Sequence, residues 1–318
     1  MAEKSFQRTD RHRGRIEQVF ITLGKLLRMF VYQNDWKLLP MSVIIAALAT
    51  LVVKNDMFVT MEGSLKGALA LSCVAIWNGA FNSIQVICRE REIIKREHRS
   101  GMHISSYIVA HMIYQAMLCA VQAGLTVYAC RLMGIKIPRE GLVSRWMVVD
   151  LGVTVFLISY AADMFALWMS CLVHSTTTAM SIMPFFLIAQ LVFSGGIFVL
   201  PEWSNPISSA MISNAGVKCI AAQCDYNELP MVSGWNIIEK MKDSVITGEV
   251  TVGDVLKSAG EKEIKDLLTY RTAQVSKKAD YESTKENIMR YWTRLALFMI
   301  VFAALAVISL EFVDKDKR

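Results

Sequence analysis

CREREIIKREHRSGMHISSY, residues 88–107, packs five bases (Arg89, Arg91, Lys95, Arg96, Arg99) and three acids (Glu90, Glu92, Glu97) into its first twelve positions. Long apolar runs flank it on both sides. So charged a segment cannot lie in hydrocarbon, where every unpaired charge and unsatisfied backbone group is costly. If the flanking runs span a membrane, the chain surfaces here. That reading decides the class: apolar helices alternating with exposed connections.

The composition agrees. Of 318 residues, 54% are hydrophobic and 19% charged, too apolar for an ordinary soluble domain. Several apolar runs approach the roughly 20 residues that cross a bilayer. We expect an all-α, polytopic membrane protein with six transmembrane helices, at about 37–53, 65–88, 104–133, 146–173, 177–200 and 291–313. Trp36, Tyr291 and Trp292 read as interfacial anchors. Before the first span, Ile16, Val19, Phe20, Leu23, Leu26, Leu27, Phe30 and Val31 recur at helical spacing, with Glu17, Gln18, Lys25 and Arg28 on other faces. This predicts an amphipathic helix lying in the interface. The Arg-rich leader lacks the apolar stretch and small-residue cleavage site of a signal peptide and is expected to be retained.

Four regions result: a leader and interfacial helix at 1–35, spans one to five at 36–200, an extracytoplasmic insert at 201–290, and the sixth span with a tail at 291–318. Six crossings put the leader, the 89–99 segment and the Lys315, Lys317, Arg318 tail on one side. All are basic, so that side is expected to be cytoplasmic, with both termini inside a cell membrane. Arg131, Lys136, Arg139 and Arg145 dissent, since they then lie outside. In the insert, the Pro- and Ser-broken start (PEWSNPISSAMISNAGVKCIAA) suits a re-entrant helix pair. Residues 261–290 read as one long helix running on into the sixth span. Cys219 and Cys224 are expected to face outside, where a disulfide and two free thiols are equally compatible with the sequence.

No GxxxxGK[ST], GxSxG, HExxH or GxGxxG sequence is present, so no catalytic residue is assigned and the chain is not expected to be an enzyme. Scattered cysteines without Cys-x-x-Cys or Cys/His spacing predict no metal site. The formal charge of +6 gathers beside spans, as topology signals do, so the partner expected is a lipid bilayer and not nucleic acid. The spans carry Asn78, Asn82, Gln85, His111, Gln115, Gln122, Asp150, Asp163 and Gln190. Such groups either bond helix to helix or line a path. For Asn78 and Asn82, four apart on one face, both readings stay open. The charged stretch itself can be a working helix or a solvated loop that only sets topology.

The run Arg89-Glu90-Arg91, Arg96-Glu97, Gly101, Ser105-Ser106-Tyr107 resembles the ER-x(4)-RE-x(3)-G-x(3)-SY pattern after the second span of ABCG-like (ABC-2 type) ABC transporter permeases. Phe193-Ser194-Gly195, then Pro201-x-Trp203 and Ile207-Ser208, is similar to that family's FSG, PxW and re-entrant segment. The resemblance implies the transmembrane subunit of an ATP-driven exporter, paired with a second permease copy or homologue. ATP and Mg would be bound by a separate or fused ATPase, with no cofactor on this chain. It implies a cytoplasmic coupling helix at 89–99 contacting the ATPase through Glu90, Arg91, Ile94 and Glu97. It implies a substrate path at Trp77, Asn78, Phe81, Asn82, Phe185, Phe186, Ala189 and Phe193. Where the family often has two bulky residues after FSG, Gly196 and Ile197 stand here, so the exit gate is expected at Gly196, Ile197 and Phe198. The competing readings are a gradient-driven transporter or channel, and a membrane-anchored receptor presenting the insert.

Overall fold

The computed structural model describes residues 14–32, 35–196, 198, 200–247 and 250–315. The described residues are mostly helical, with one short hairpin among them. Helix α1 (Arg15–Tyr32) lies against α5 (Ile104–Leu132) through a narrow seam at Thr22 and Leu26. Ile16, Phe20, Ile21, Leu27 and Val31 stay exposed. An apolar stripe left open on a helix that also carries Arg15, Lys25 and Arg28 suits the plane of a membrane interface.

Among the described residues, five helices are long and apolar enough to cross a membrane. Besides α5 they are α2 (Leu38–Val53), α3 (Met61–Ser83), α6 (Met147–Leu172) and α13 (Lys285–Lys315). The core is the α3–α6–α13 group. Small residues allow it: an added Cβ on Gly79 of α3 would overlap the Ser159 carbonyl oxygen of α6. Close backbone approach of this kind is how apolar helices associate without a hydrophobic driving force.

The expected second span ends early. α3 stops at Ser83, and a new helix, α4 (Val86–Arg99), holds the charged stretch. Its end is a Schellman cap. Gly101 sits at φ 101°, its N–H donates to His98 O at 3.0 Å, and Met102 N–H donates to Glu97 O at 3.0 Å. Only glycine takes that backbone angle without strain, which gives the glycine of the recognised pattern its physical reason.

The expected fifth span is also shorter. α7 (Thr176–Val192) has 17 residues, about 26 Å at helical rise. The chain then turns through α8 (Asn205–Ser209) into α9 (Ile212–Gln223), which is buried among α3, α6 and α13. Gly216 of α9 abuts Ile158 and Ser72, each eleven residues into its helix, so this part of α9 lies roughly 16 Å deep. Gln223 reaches the start of α6, where its amide donates to Asp150 O (3.2 Å) and Thr154 Oγ1 (2.8 Å). α7 and α9 are the two limbs of one turn, joined by contacts of Gln190 with Ser213 and of Ser194 with Asn214. Ser213 N–H donates to Gln190 Oε1 (2.9 Å), and Asn214 Nδ2 donates to Ser194 O (3.1 Å) and Ser208 Oγ (2.9 Å).

Two expectations for the insert are corrected. Cys219 and Cys224 are free and buried, not outward-facing or bridged. Five positions apart at the end of α9, their side chains diverge by about 140°, and Cys219 packs toward Thr154. Residues 261–290 are not one helix. α12 (Glu261–Val275) ends, a 3₁₀ turn at Ala279–Tyr281 intervenes, and α13 begins at Lys285. The rest of the insert is α10 (Ser233–Lys240), a hairpin of β1 (Val245–Thr247) and β2 (Val250–Thr251), and α11 (Val252–Ala259). It is seated on α3 by Glu62, whose carboxylate accepts from the N–H groups of Val232 (3.3 Å) and Ser233 (2.8 Å). The insert and α4 therefore lie at opposite ends of α3, roughly 33 Å apart.

Candidate functional site

Helix α4 alternates between a face that grips the bundle and a face that looks away. Ile87, Arg91 and Ile94 are buried. Ser170 of α6 accepts from the N–H groups of Ile87 (3.1 Å) and Cys88 (3.2 Å), capping the start of α4. Arg91, only 5% exposed, returns the favour at the end of α6. Its guanidinium donates to Val173 O (2.8 Å) and Cys171 O (3.3 Å), a cation on the negative end of a helix dipole. Each helix thus satisfies the other's orphan backbone groups, and the two form one rigid corner.

The four residues expected to couple to a partner separate on this geometry. Arg91 and Ile94 face inward and fasten α4 to α6. Glu90 also points in, accepting from Tyr107 Oη at 3.0 Å, with Lys25 Nζ of α1 at 4.0 Å. Glu97 is half-exposed and pairs with the same Lys25 at 3.6 Å. The outward face holds Arg89, Glu92, Ile93, Arg96 and Arg99. Sequence reasoning did not set the exposed Ile93 and Arg96 apart from the buried Arg91 and Ile94, although at 100° per residue Ile93 stands about 100° from Ile94 and Arg96 about 140° from Arg91. It also missed Gln18 of α1, whose amide donates to Gly101 O (3.1 Å) and accepts from His103 N–H (2.9 Å), clamping the α4–α5 turn.

The expected path residues form two groups. Trp77 and Phe81 of α3 are each 42% exposed, with ring centroids 6.0 Å apart, on a partly open face. Asn78 and Asn82 turn toward the bundle and are buried. Asn82 and Gln122 exchange amide bonds at 2.8 and 3.1 Å. On the other flank of α3, Phe186 stacks on Phe165 at 4.1 Å, while Phe185 is 74% exposed. Ala80, Ile84, Phe165, Met183 and Phe185 line an apolar cavity of about 300 Å³ between α3, α6 and α7. Ala189 and Phe193 are half-buried. In the expected gate, Gly196 packs on Leu69, Phe198 is exposed, and Ile197 lies outside the described residues.

Residues 19–212 match the family model described as ABC-2 type transporter, well over half of the chain. The chain belongs to the ABC-2 type transporter family. The match runs from α1 to the first residue of α9, so it takes in α4, both aromatic flanks of α3 and the turn between α7 and α9. A relative is the "ABC transporter ATP-binding/permease protein Rv1747" of Mycobacterium tuberculosis, 29% identical over 127 residues. That alignment covers 40% of this chain and only 15% of the relative's length. As an ABC-2 family member the chain is a multi-pass membrane component of a transporter, and the membrane part of such a transporter is not its catalytic part.

Proposed function

We propose that this permease is the transmembrane subunit of an ATP-driven exporter. The chain crosses a cell membrane six times, with α7 and α9 sharing the fifth passage and both termini and α4 on the cytoplasmic side. ATP and Mg are held by a partner ATPase, separate or fused, that docks on the outward face of α4. A second permease copy or homologue covers the open aromatic face of α3 and the exposed side of α7. Between the two copies, Trp77, Phe81 and Phe185 face the substrate, and Gly196, Ile197 and Phe198 stand near its exit. The single observation that carries the reading is the α4–α6 corner: a charged helix bolted by Arg91 and Ser170 to a long apolar helix transmits force on its other face without bending.

The test uses the full chain in proteoliposomes with the ABC ATPase that co-purifies with it. Ile93→Asp and Arg96→Glu are expected to abolish stimulation of ATP hydrolysis by the permease and to release the ATPase. Flux driven by an ion gradient with no ATPase present, unchanged in both variants, would sink the proposal in favour of a gradient-driven carrier.

A further inference from the structure

A second cavity, about 230 Å³, opens between α1, the start of α2, α3, α4 and α5. Its walls are unusually mixed. Leu26, Met29, Leu38, Phe81 and Leu118 supply apolar surface, while Asp35, Glu90, Arg89, His111 and Gln115 supply polar groups. His111 is 2% exposed, and among the described residues neither of its ring nitrogens has a hydrogen-bond partner. The Gln115 Oε1 acceptor is buried and unpartnered as well. Native interiors rarely leave such groups unmatched, because each costs its full desolvation.

We propose that this cavity binds the primary ammonium headgroup of a bilayer amphiphile, and that a phosphoethanolamine lipid supplies it. Size argues for one end of a molecule: pockets that enclose a whole ligand run to about 300–1,000 Å³, and this one is smaller. The remainder has an apolar track beside the opening, since Phe81 lines the cavity and leads to the exposed Trp77 ring. Charge leaves one place for a cation: Glu90 is already paired with Lys25, and Asp35 is the other carboxylate in the walls. Donor count argues for a primary amine. Three N–H groups can meet Gln115 Oε1, an acceptor nitrogen of His111 and the Asp35 carboxylate, whereas a quaternary ammonium has no N–H to offer. The exposed Arg89 at the rim supplies a partner for the phosphate. The site shares only Arg89 with the outward face of α4, and lipid retention there does not depend on transport.

The experiment is native mass spectrometry of the purified full chain, without ATPase or ATP. The probes are phosphatidylethanolamine, phosphatidylcholine and phosphatidylglycerol of matched acyl chains, and dodecylamine as a single-chain primary amine. Retention of phosphatidylethanolamine over phosphatidylcholine by about tenfold is expected. Asp35→Asn, at the partly exposed rim, and His111→Leu, in the floor, should each erase that preference while the protein stays monodisperse. If His111→Leu fails to fold, Asp35→Asn alone decides. Dodecylamine should displace the lipid. Retention of dodecylamine with no retained phosphatidylethanolamine supports the ammonium site and overturns the lipid as its source. Equal retention of the three lipids, or a preference unchanged in Asp35→Asn, overturns the site. Loss of ATPase coupling in the preceding test leaves this measurement untouched, so the two proposals fail separately.

Discussion

The side-chain amides of Asn82 and Gln122 face each other across α3 and α5, each donating to and accepting from the other. Gln115 adds a longer bond to the Asn82 carbonyl at 3.4 Å. Asn82 therefore acts first as a link between helices and only at its edge as a wall of the cavity beneath α1. Truncating one partner strands the other in an apolar seam. Asn82→Leu should lower stability by about 1–2 kcal/mol. The double change Asn82→Leu with Gln122→Leu should recover part of that loss, with a coupling near 0.6 kcal/mol, the average for such pairs in membranes. Equilibrium unfolding in mixed micelles measures all four corners of the cycle. Additive losses would show that the pair carries no coupling.

Arg91 and Ile93 are two positions apart yet should fail differently. Arg91→Met removes two charged hydrogen bonds to the end of α6 and should cost about 2 kcal/mol. It should also loosen α4, seen as faster proteolysis after Arg96 and Arg99. Ile93→Asp lies on the outward face and should leave the midpoint of thermal unfolding unchanged. A comparable fall in both variants would mean that α4 has no separate outward role.

Gly79 and Gly124 form a second contrast. An added Cβ on Gly79 meets the Ser159 carbonyl oxygen of α6, whereas nothing lies within 4 Å of one on Gly124. Gly79→Ala must push two backbones apart and should cost about 3 kcal/mol or more. Gly124→Ala should stay within about 1 kcal/mol and lean toward stabilisation through helix propensity. Thermal unfolding in detergent, followed by size-exclusion of the heated sample, compares them.

Much of this was legible in the chain because it rests on local chemistry. A charged stretch between apolar runs had to surface. The amphipathic stripe at Ile16–Val31 named α1 by its period alone. What escaped was set by non-local pairing. Nothing around Arg91 says that its guanidinium finds the last carbonyls of α6, eighty residues away, so its charge read as a partner contact. Cys219 and Cys224 looked external because α9 is too short and too polar at Ser213, Asn214 and Lys218 to read as buried. Its polar groups are matched by Gln190, Ser194 and Asp280 only in the folded bundle. The break before Lys285 was missed for the opposite reason. Residues 276–284 contain no proline or glycine, and the turn is held by Asn227 across the gap, which accepts from Lys278 N–H and donates to Lys278 O.

The insert carries a pH dependence of its own. Lys242 and Glu261 pair at 2.5 Å at the junction of α10 and α12, beside Trp235, whose ring lies under Lys242 and Lys265. The hydrogen bond from Lys242 holds the Glu261 carboxyl below its ordinary range and raises the Lys242 ammonium above its own. Thr251 lowers Asp254 in the same way through the capping box of α11. A carboxyl depressed in the folded state contributes stability that is complete above its unfolded value and disappears as pH falls through the folded one. The raised ammonium contributes below its unfolded value and is lost as pH climbs past the folded one. The insert should accordingly be best ordered between the carboxylate and lysine ranges and should loosen in acid before the bundle does. Hydrogen exchange of peptides 233–275 in the full chain, taken from neutral pH to below the carboxylate range, should show protection falling there while α6 peptides stay protected. Glu261→Gln should flatten the acid limb, and added salt should shrink the wild-type effect, because these groups are exposed and screened. Protection that falls equally in wild type and Glu261→Gln would assign the acid sensitivity to groups other than this pair.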